Sequence, residues 1–465
     1  RGSRRGKGIV GGYHMNDSLL RMVGLSICAF RGIPGRIDVD LSSPLTLVYA
    51  PNGTGKTSFI DAAEWILTDE IKRMGKFLKR GVQDEVRCKF SPREMKTEVR
   101  AVIELDNVRY DLYKTPGQWL LDSGKVKLET KSAILEALAP QVEDDPTDCR
   151  TAPIMRKTWL RGARFLSESD ISILVETDPD VRDERRQILS DMMGVGELDH
   201  RAAEFRRLAE FLTDGCSGEK GIAVLEKELA EKERRLAEAV AARSNAPAGA
   251  SSVESRAQEL LAGKEIETGR RETAAVQQHL ARLREVRKAA EDAARAFNRQ
   301  SRSFCRWQKE QLADVMFSIF GRIHANETFD LIKGGPEDDP FEWVAMAAER
   351  ELIPSREFSM GQRQDLALSI FLAKARGMGG TFFLDEPIIR LDDLNRVALL
   401  DLFRVLVEEE NSRTHLVITT ASRALVRHFQ EKFINIPARD DVPVLRVVEL
   451  EGSPRDGVQV AKTGE

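Results

Sequence analysis

The feature that most constrains this chain is the stretch Ala50–Ser58, which contains two glycines followed by a lysine and a threonine. It follows a short apolar run, Leu45–Tyr49, and precedes a segment in which apolar residues recur at helical spacing. The pattern predicts a buried strand, a tight turn and a helix N-terminus, which is the context that a phosphate-binding loop requires. Backbone N–H groups in such a turn surround an anion, and the helix dipole adds positive potential.

Individual side chains of this loop have distinct expected roles. We expect Lys56 to reach the terminal phosphates of a nucleotide such as ATP, and the Thr57 hydroxyl to hold Mg²⁺. The usual motif begins with a glycine where this chain has Ala50, so the match covers the positions after it. The further phosphate-contacting candidates are Asn52, Gly53, Thr54, Gly55 and Ser58.

Composition narrows the class of protein. A chain of 465 residues with 42% apolar residues can bury a large core and more than one domain-sized unit. The formal net charge of -4 excludes a globally basic nucleic-acid protein, so any DNA contact needs a local basic patch. The 5 cysteines include no CxxC pair, which argues against a zinc site and suits a reducing compartment. We found neither a membrane-length apolar run nor a signal peptide, and therefore expect a cytoplasmic protein without a membrane partner.

The first part of the chain predicts an ATP-binding lobe. Residues 1–18 are interpreted as a tag or disordered N-terminus, with a natural basic arm as the alternative. Residues 19–196 are expected to form an N-terminal lobe with a mixed sheet and the phosphate loop near its start. Within it, Asp106 and Asn107 separate two alternating segments and predict a hairpin turn.

The middle of the chain predicts two helical arms. Residues 197–296 are rich in Ala, Glu, Arg and Leu, with apolar residues at heptad-like spacing and a helix-breaking segment near 244–252. We expect an antiparallel coiled coil with arms of roughly 70 Å; one helical subdomain with an internal loop is the alternative. A C-terminal lobe, residues 297–465, then begins with a helix over Phe304–Phe320.

Two motifs of this second lobe suit the chemistry of a nucleotide site. Ser359 followed by Gln362 is a capping-box pattern and predicts a helix N-terminus. Farther along, an apolar run beginning at Thr381 ends in Asp385 and Glu386, which places two carboxylates at a sheet edge. Asp385 is suited to hold Mg²⁺ through water, and Glu386 to polarise an attacking water. A buried carboxylate pair without a cation would be costly, which favours a functional role.

The order of these motifs resembles the head of an SMC, RecF/RecN or SbcC-type ABC ATPase. The resemblance implies an α/β fold, in which two sequence-distant lobes form a P-loop NTPase head with an inserted antiparallel coiled coil. Arg31 lies in the motif that such heads carry after their first strand, which adds it to the ATP-binding candidates. Glu168 lies where these heads usually have the Q-loop glutamine, next to the metal, and Thr420 replaces their switch histidine, as in RecF. The sequences near Tyr49 and Arg322 also resemble the SMC-like subunit of Lamassu-type defence systems.

The resemblance also implies a mechanism with two copies of the chain. One copy supplies Lys56, Thr57 and Asp385, while signature residues of the other copy close over the γ-phosphate. The implied signature residues are Ser359, Gly361 and Gln362, and the implied D-loop residue is Asp392. ATP thus joins two heads as a homodimer, and hydrolysis assisted by Glu386 releases them.

Two main functions follow from this resemblance. The first is an ATP-hydrolysing, double-stranded-DNA-binding machine of DNA repair or anti-phage and anti-plasmid defence, with a separate nuclease or effector subunit. The second is a structural tether that is clamped by ATP and hydrolyses it little, which Glu168 and Thr420 favour and the intact Glu386 opposes. A transporter motor fits poorly, because such motors carry no coiled coil between the phosphate loop and the signature. The DNA-binding candidates lie where the arms meet the lobes: Arg201, Arg206, Arg207, Arg282, Arg284, Arg287 and Lys288.

Overall fold

The computed structural model groups the chain into two compact units. The head unit comprises Arg1–Glu197 and Phe304–Glu465, and the arm unit comprises Leu198–Ser303. The structure describes residues 19–74, 85–139, 152–176, 178–216, 219–244, 253–324, 329–335, 342–388, 391, 393–408, 412–439 and 441–464. The tag or disordered segment predicted at residues 1–18 lies outside this described part, as does most of the turn predicted near 244–252.

The N-terminal part of the head unit alternates strands and helices. Its strands are β1 (Leu20–Phe30), β2 (Ile33–Asp40), β3 (Leu45–Tyr49), β4 (Glu98–Leu105), β5 (Val108–Thr115), β6 (Gln118–Asp122), β7 (Lys127–Leu128) and β8 (Phe165–Leu166). Its helices are α1 (Lys56–Thr68), α2 (Lys131–Leu138), α3 (Ala152–Arg164), α4 (Glu168–Val175) and α5 (Arg182–Met192). The hairpin predicted at Asp106–Asn107 is confirmed, because both residues have positive φ between β4 and β5.

The middle of the chain is helical. It contains α6 (Gly196–Asp214), the two-residue strands β9 (Gly215–Cys216) and β10 (Glu219–Lys220), α7 (Ile222–Ser244) and α8 (Val253–Ile323). The C-terminal part contains β11 (Leu331–Gly334), β12 (Trp343–Ala347), β13 (Arg350–Leu352), α9 (Pro354–Glu357), α10 (Met360–Met378), β14 (Gly380–Asp385), α11 (Asp393–Glu408), β15 (Thr414–Thr420), α12 (Arg423–Phe433), β16 (Leu445–Ser453) and β17 (Gly457–Gly464).

Within the described residues the head unit contains two six-stranded sheets and a three-stranded sheet of order β11-β12-β13, and this corrects the expected single mixed sheet of the N-terminal lobe. One six-stranded sheet is antiparallel, in the order β2-β1-β4-β5-β6-β7. The other has the order β17-β16-β3-β15-β14-β8, and β3 pairs in parallel with β15 and β16. The strand before the phosphate loop thus pairs with strands from the C-terminal part of the chain. β3, β14 and β15 are buried along nearly their whole length, as the central strands of a parallel sheet usually are.

Buried side chains fill the space on both faces of the parallel sheet. On one face Phe59 and Trp65 of α1 lie in a cluster that also includes residues of the antiparallel sheet. On the other face Phe371 of α10 packs with Phe382 of β14, with ring centroids 6.1 Å apart. The two sheets are also joined by a hydrogen bond from the Met22 N–H to Thr381 Oγ1 at 2.9 Å. These contacts fix the strand ends that carry the candidate site.

The arm unit contains an antiparallel pair of helices. Lys232 and Glu272 form an ion pair at 2.6 Å between α7 and α8. Farther along, Arg284 pairs with Glu226 at 2.6 Å, so residue numbers rise on one helix as they fall on the other. The predicted seam is largely confirmed, since Leu280 is 2% exposed, although Val240 is 37% exposed.

Two details of the helical region differ from the expectation. The first arm is not continuous, because the strands β9 and β10 separate α6 from α7, and α7 alone spans only about 35 Å. Gly215 has a φ of 75°, which interrupts the helix at a glycine. The second arm is longer than predicted: α8 has 71 residues, so the helix expected at Phe304–Phe320 is its continuation.

Candidate functional site

The phosphate loop has the backbone conformation that the sequence predicted. Gly53 has a φ of 83° and Gly55 a φ of 98°, both in the left-handed region that glycine adopts readily. Gly55 is the N-cap of α1, so the free N–H groups of the first turn face the loop. Ala50 is buried and its N–H donates to the Thr420 carbonyl at 3.1 Å. Ala50, at the first motif position, therefore continues the pairing between the end of β3 and the end of β15. The glycine turn that follows it has the conformation expected of a phosphate-binding loop.

Lys56 is held at the centre of the loop. Its Nζ donates hydrogen bonds to the Ala50 carbonyl at 2.9 Å and to Asn52 Oδ1 at 3.1 Å. It also lies 3.3 Å from Glu386 Oε1, and the two side chains are 7% and 13% exposed. The folding of the chain thus brings the lysine of the first lobe to a carboxylate of the second.

The two carboxylates after strand β14 have different surroundings. Thr419 Oγ1 donates to Asp385 Oδ1 at 2.5 Å, and Asp385 is 5% exposed. Glu386 has a φ of 52°, and its Oε2 accepts a hydrogen bond from the Ala421 N–H at 3.3 Å. Such a left-handed residue is uncommon outside glycine, and here it lies directly after strand β14.

Burial raises the pKa of both carboxyl groups. For Asp385 the hydrogen bond from Thr419 opposes this rise, as do the charges of Arg73 and Lys56. For Glu386 the charge of Lys56 and the Ala421 N–H oppose it. A raised pKa suits Glu386 to accept a proton.

The oxygen atoms around Asp385 fit a magnesium ion. The Thr57 side chain lies close enough to Asp385 to lower the pKa of that carboxyl group, and both residues line the same cavity. Thr57, Asp385 and Glu168 line one cavity of ≈ 610 Å³ in the head unit. Mg²⁺ is usually held by one or two carboxylates together with substrate phosphates. The described residues contain no cluster of three or more His, Cys, Asp or Glu that could hold a metal ion.

Arg31 faces a carboxylate of the phosphate-loop helix. Its Nη1 lies 2.8 Å from Asp61 Oδ2, and the Asp61 side chain is 3% exposed. Arg73 binds the same carboxylate through Nε at 2.9 Å to Oδ1. Burial lowers the pKa of Arg31 and raises that of Asp61, and the charge attraction between them opposes both shifts. The structure thus places Arg31 beside α1 and pairs its charge within the chain.

Ser58 has a structural contact that the sequence did not reveal. Its Oγ accepts a hydrogen bond from the Gly32 N–H at 3.1 Å, which joins the β1–β2 turn to the start of α1. A Cβ at Gly32 would lie 2.9 Å from that Oγ, so glycine permits the close approach. The Ser58 hydroxyl therefore stabilises the packing of the β1–β2 turn against the start of α1.

The signature residues lie at an exposed helix N-terminus. Ser359 caps α10 in the predicted capping box, accepting from the Gln362 N–H at 3.3 Å while Gln362 Oε1 accepts from the Ser359 N–H at 2.8 Å. A Cβ at Gly361 would meet nothing within 4 Å. The side-chain hydrogen bonds that the structure describes for Ser359 and Gln362 join these two residues and do not reach the phosphate loop.

The structure describes the predicted switch residue Thr420 but not the predicted D-loop residue Asp392. Thr420 is buried at the end of β15, and its Oγ1 accepts a hydrogen bond from the Ser422 N–H at 3.1 Å. Thr420 also lines a cavity together with Glu386, so it lies at the expected switch position beside the catalytic candidate. Asp392, the implied D-loop residue, lies outside the described residues.

Comparison with known proteins assigns the family. A sequence profile of the AAA_23 family, described as an AAA domain, matches residues 25–293, more than half of the chain. The chain belongs to the AAA_23 family. The matched range of this AAA domain includes the phosphate loop, Glu168 and most of the arm unit. A search of curated proteins found no significant match.

Solved structures identify the fold of this AAA domain. The SMC head domain of Pyrococcus furiosus, with an extended coiled coil and bound to the C-terminal domain of ScpA, aligns over 95% of this chain and 96% of its own, with 15% identity and a TM-score of 0.50. The SMC head domain with a coiled coil and joint from Pyrococcus yayanosii aligns over 96% and 97%, with 16% identity and a TM-score of 0.48. The first likeness shows that the AAA domain has the fold of an SMC-type ABC ATPase head with a coiled-coil insertion.

The sequence analysis did not identify four charged residues that line the cavity shared by Thr57 and Asp385: Asp61, Glu64, Arg73 and Arg161. Asp61 and Glu64 follow Thr57 on α1 at helical spacing, and both are buried in an otherwise apolar helix. Their position within an apolar periodic run is the signal that could have found them. Their cationic partners Arg73 and Arg161 come from segments with no recognisable motif.

No helix within the described parts of the chain is long and apolar enough to cross a membrane.

Proposed function

We propose that this chain binds ATP with Mg²⁺ and hydrolyses it. One observation carries the proposal: Lys56 of the phosphate loop lies 3.3 Å from Glu386, while the next residue of the loop helix, Thr57, lines one cavity with Asp385. A phosphate-binding loop and the carboxylates needed for hydrolysis thus meet in one head unit. The cytoplasm, with its high ATP concentration, is the proposed location.

The proposed chemistry assigns a role to each side chain. The N–H groups of the loop, with Lys56, bind the phosphates and orient the γ-phosphoryl group. Thr57, Asp385 and Glu168 would hold Mg²⁺, which when bound would neutralise charge on the phosphates. A water oxygen forms a bond to the γ-phosphorus as the bond to the β–γ bridging oxygen breaks, and Glu386 accepts the proton of that water. Asn52, Gly53, Thr54 and Gly55 shape the loop, while Arg31 and Ser58 support it.

We further propose that two copies enclose the nucleotide between their heads. The exposed N-terminus of α10 supports this, because the N–H groups of Met360 and Gly361 precede the capped Gln362 N–H and can face a phosphate of another copy. Gly361 has open space around its Cβ position, so no contact within one chain explains the glycine. In the proposed homodimer Ser359, Gly361 and Gln362 contact the γ-phosphate held by the other copy, and Asp392 lies near it.

The proposed biological role is binding of double-stranded DNA in repair or in anti-phage and anti-plasmid defence. The solved relative bound to a ScpA domain supports a separate partner subunit, here a nuclease or effector. Several proposed DNA-contacting arginines form ion pairs within the arm unit, such as Arg284 with Glu226 at 2.6 Å and Arg287 with Glu291 at 3.6 Å. DNA phosphates would therefore compete with these carboxylates. An ATP-clamped tether with little hydrolysis is the alternative, favoured by a threonine at the switch position, Thr420, whose Oγ1 accepts a hydrogen bond from the Ser422 N–H.

Release of phosphate from ATP, measured with wild type and with Lys56→Ala, tests the proposal. We expect Mg²⁺-dependent turnover in wild type and loss of nucleotide binding in the variant, because the variant lacks the charge that faces the phosphates. Binding without turnover would favour the tether. Absence of binding in folded wild type would contradict both functions.

A further inference from the structure

Two helix N-termini carry side chains proposed to lie at the metal. Thr57 is in the first turn of α1, and Glu168 is the first residue of α4. We infer that Lys72 is a positioning residue, which fixes these two helices relative to each other and thereby places Glu168 for metal binding. This inference rests on the proposed function, because it concerns how the proposed Mg²⁺ site is assembled.

The backbone of Lys72 is anchored to α1. Its N–H donates to Glu64 Oε1 at 2.9 Å, and Glu64 is 7% exposed on α1. The same Glu64 oxygen lies 3.2 Å from Arg161 Nε of α3. Burial raises the pKa of Glu64 to about 7, and Arg161 together with the Lys72 N–H opposes that rise. The segment after α1 is therefore tied to the helix that begins with Lys56 and Thr57.

The side chain of Lys72 reaches the start of α4. Its Nζ lies 3.1 Å from Asp170 Oδ1. Asp170 closes the capping box of α4, because its N–H donates to Ser167 Oγ at 3.1 Å and its Oδ2 accepts from the Ser167 N–H at 3.3 Å. The carboxylate that Lys72 contacts is thus the one that fixes the first turn of α4. Glu168 lies within that turn.

Lys72 also separates two carboxylates. Its Nζ lies 3.2 Å from Asp191 Oδ2 of α5, in addition to its contact with Asp170. Burial alone would lower the pKa of Lys72, but these two carboxylates raise it, so the ammonium is charged. Without that charge Asp170 and Asp191 face each other in a partly buried site and repel. Repulsion there moves the start of α4, and Glu168 with it.

The test measures metal binding without turnover. Mn²⁺, which has an electron spin resonance signal, replaces Mg²⁺, and a non-hydrolysable ATP analogue replaces ATP. We expect Lys72→Met to weaken Mn²⁺ binding to the nucleotide complex by roughly 10- to 100-fold, as loss of residues that orient metal ligands does. Metal-free binding of the analogue remains at the wild-type level, since Lys72 contacts no loop residue. Lys72→Arg restores most of the Mn²⁺ affinity because it keeps the charge.

A matched control and a second variant make the result decisive. Lys157→Met removes a different ion pair, from Lys157 Nζ of α3 to Glu70 Oε1 at 2.6 Å, and leaves the α4 cap intact, so we expect unchanged Mn²⁺ affinity. If Lys72→Met fails to fold, Asp170→Asn keeps a capping oxygen, removes the charge and is expected to weaken Mn²⁺ binding. Wild-type Mn²⁺ affinity in the folded variant overturns the inference. Failure of wild type to bind the analogue overturns the proposed function instead.

Discussion

Lys56 Nζ and Glu386 Oε1 lie 3.3 Å apart in a largely buried ion pair. This pair joins the helix after the phosphate loop to the end of β14. Lys56 opposes the rise in pKa that burial imposes on Glu386. Phosphates that attract the Lys56 ammonium would withdraw this opposition and raise the pKa of Glu386. In the proposed mechanism, nucleotide binding would thereby make Glu386 a stronger base at the moment when a base is needed.

Glu386→Gln is expected to slow hydrolysis by about 10²- to 10⁴-fold, the usual contribution of a positioned general base. Because ATP then persists, the proposed homodimer accumulates, and light scattering with ATP and Mg²⁺ measures its mass. The matched variant Glu449→Gln lies outside the site, paired with Arg423, and is expected to turn over like wild type. A strictly monomeric Glu386→Gln protein that retains bound ATP would contradict the shared-site mechanism.

Ser359→Arg is expected to separate nucleotide binding from dimer formation. The arginine sits at the exposed start of α10 and obstructs only a nucleotide held by another copy. Fluorescent ATP should therefore bind the variant with wild-type affinity, while its turnover falls to the level of a monomer. Lys56→Ala serves as the opposite case, because it should lose binding itself. Equal loss of binding in the two variants would show that Ser359 belongs to the same half-site as Lys56.

The buried Lys374 is expected to make the free energy of unfolding of the head unit depend on pH. Its Nζ donates to the Met192 carbonyl and lies 4.6 Å from the centre of the Trp159 ring. Burial lowers its pKa to about 7, with the Cys305 thiol opposing the shift and Arg164 adding to it. The unfolded chain, with a lysine pKa of about 10.4, binds more protons between these two values. The contribution of Lys374 to the free energy of unfolding therefore becomes more favourable to the folded state as the pH rises from about 7 to 10.

Lys374→Met is expected to raise the melting temperature at pH 7, by about 5 °C, because an apolar side chain removes the cost of burying the charge. The difference from wild type should shrink as pH approaches 10, where the buried lysine is neutral. Scanning calorimetry across this range measures it. Lys131→Met, at a side chain that is 48% exposed, is the control and should show no such trend. A constant difference across the pH range would contradict the assignment.

Duplex DNA binding is expected to be independent of sequence and sensitive to salt. Affinity should fall by about 0.9 log unit per phosphate contact for each tenfold rise in salt. Glu substitutions at Arg206, Arg207, Arg282 and Lys288 should weaken binding to all duplexes alike and leave turnover without DNA nearly intact. Substitutions at Arg234, Arg235 and Arg271, elsewhere on the arm helices, are the matched control. Unchanged affinity of the first set at matched salt would place the DNA surface elsewhere and favour the tether.

Local elements of this chain could be predicted because their causes are local. The glycines of the phosphate loop, the capping box at Ser359 and the turn at Asp106–Asn107 each follow from backbone preferences within a few residues. The break of the first arm at Gly215 was missed, although a glycine is present there, because heptad spacing continued on both sides of it.

The sequence by itself determined the strand, turn and helix around the phosphate loop, the start of α10, and which side chains have the chemistry for phosphate, metal and water. The tertiary structure decided which of them meet. Strand β3 pairs with β15 and β16 of the second lobe, and Lys56 consequently faces Glu386. The same holds for Lys72 and Asp170, which are 98 residues apart in the chain. Such pairings depend on how buried faces pack, and local preferences carry no information about a partner far along the chain.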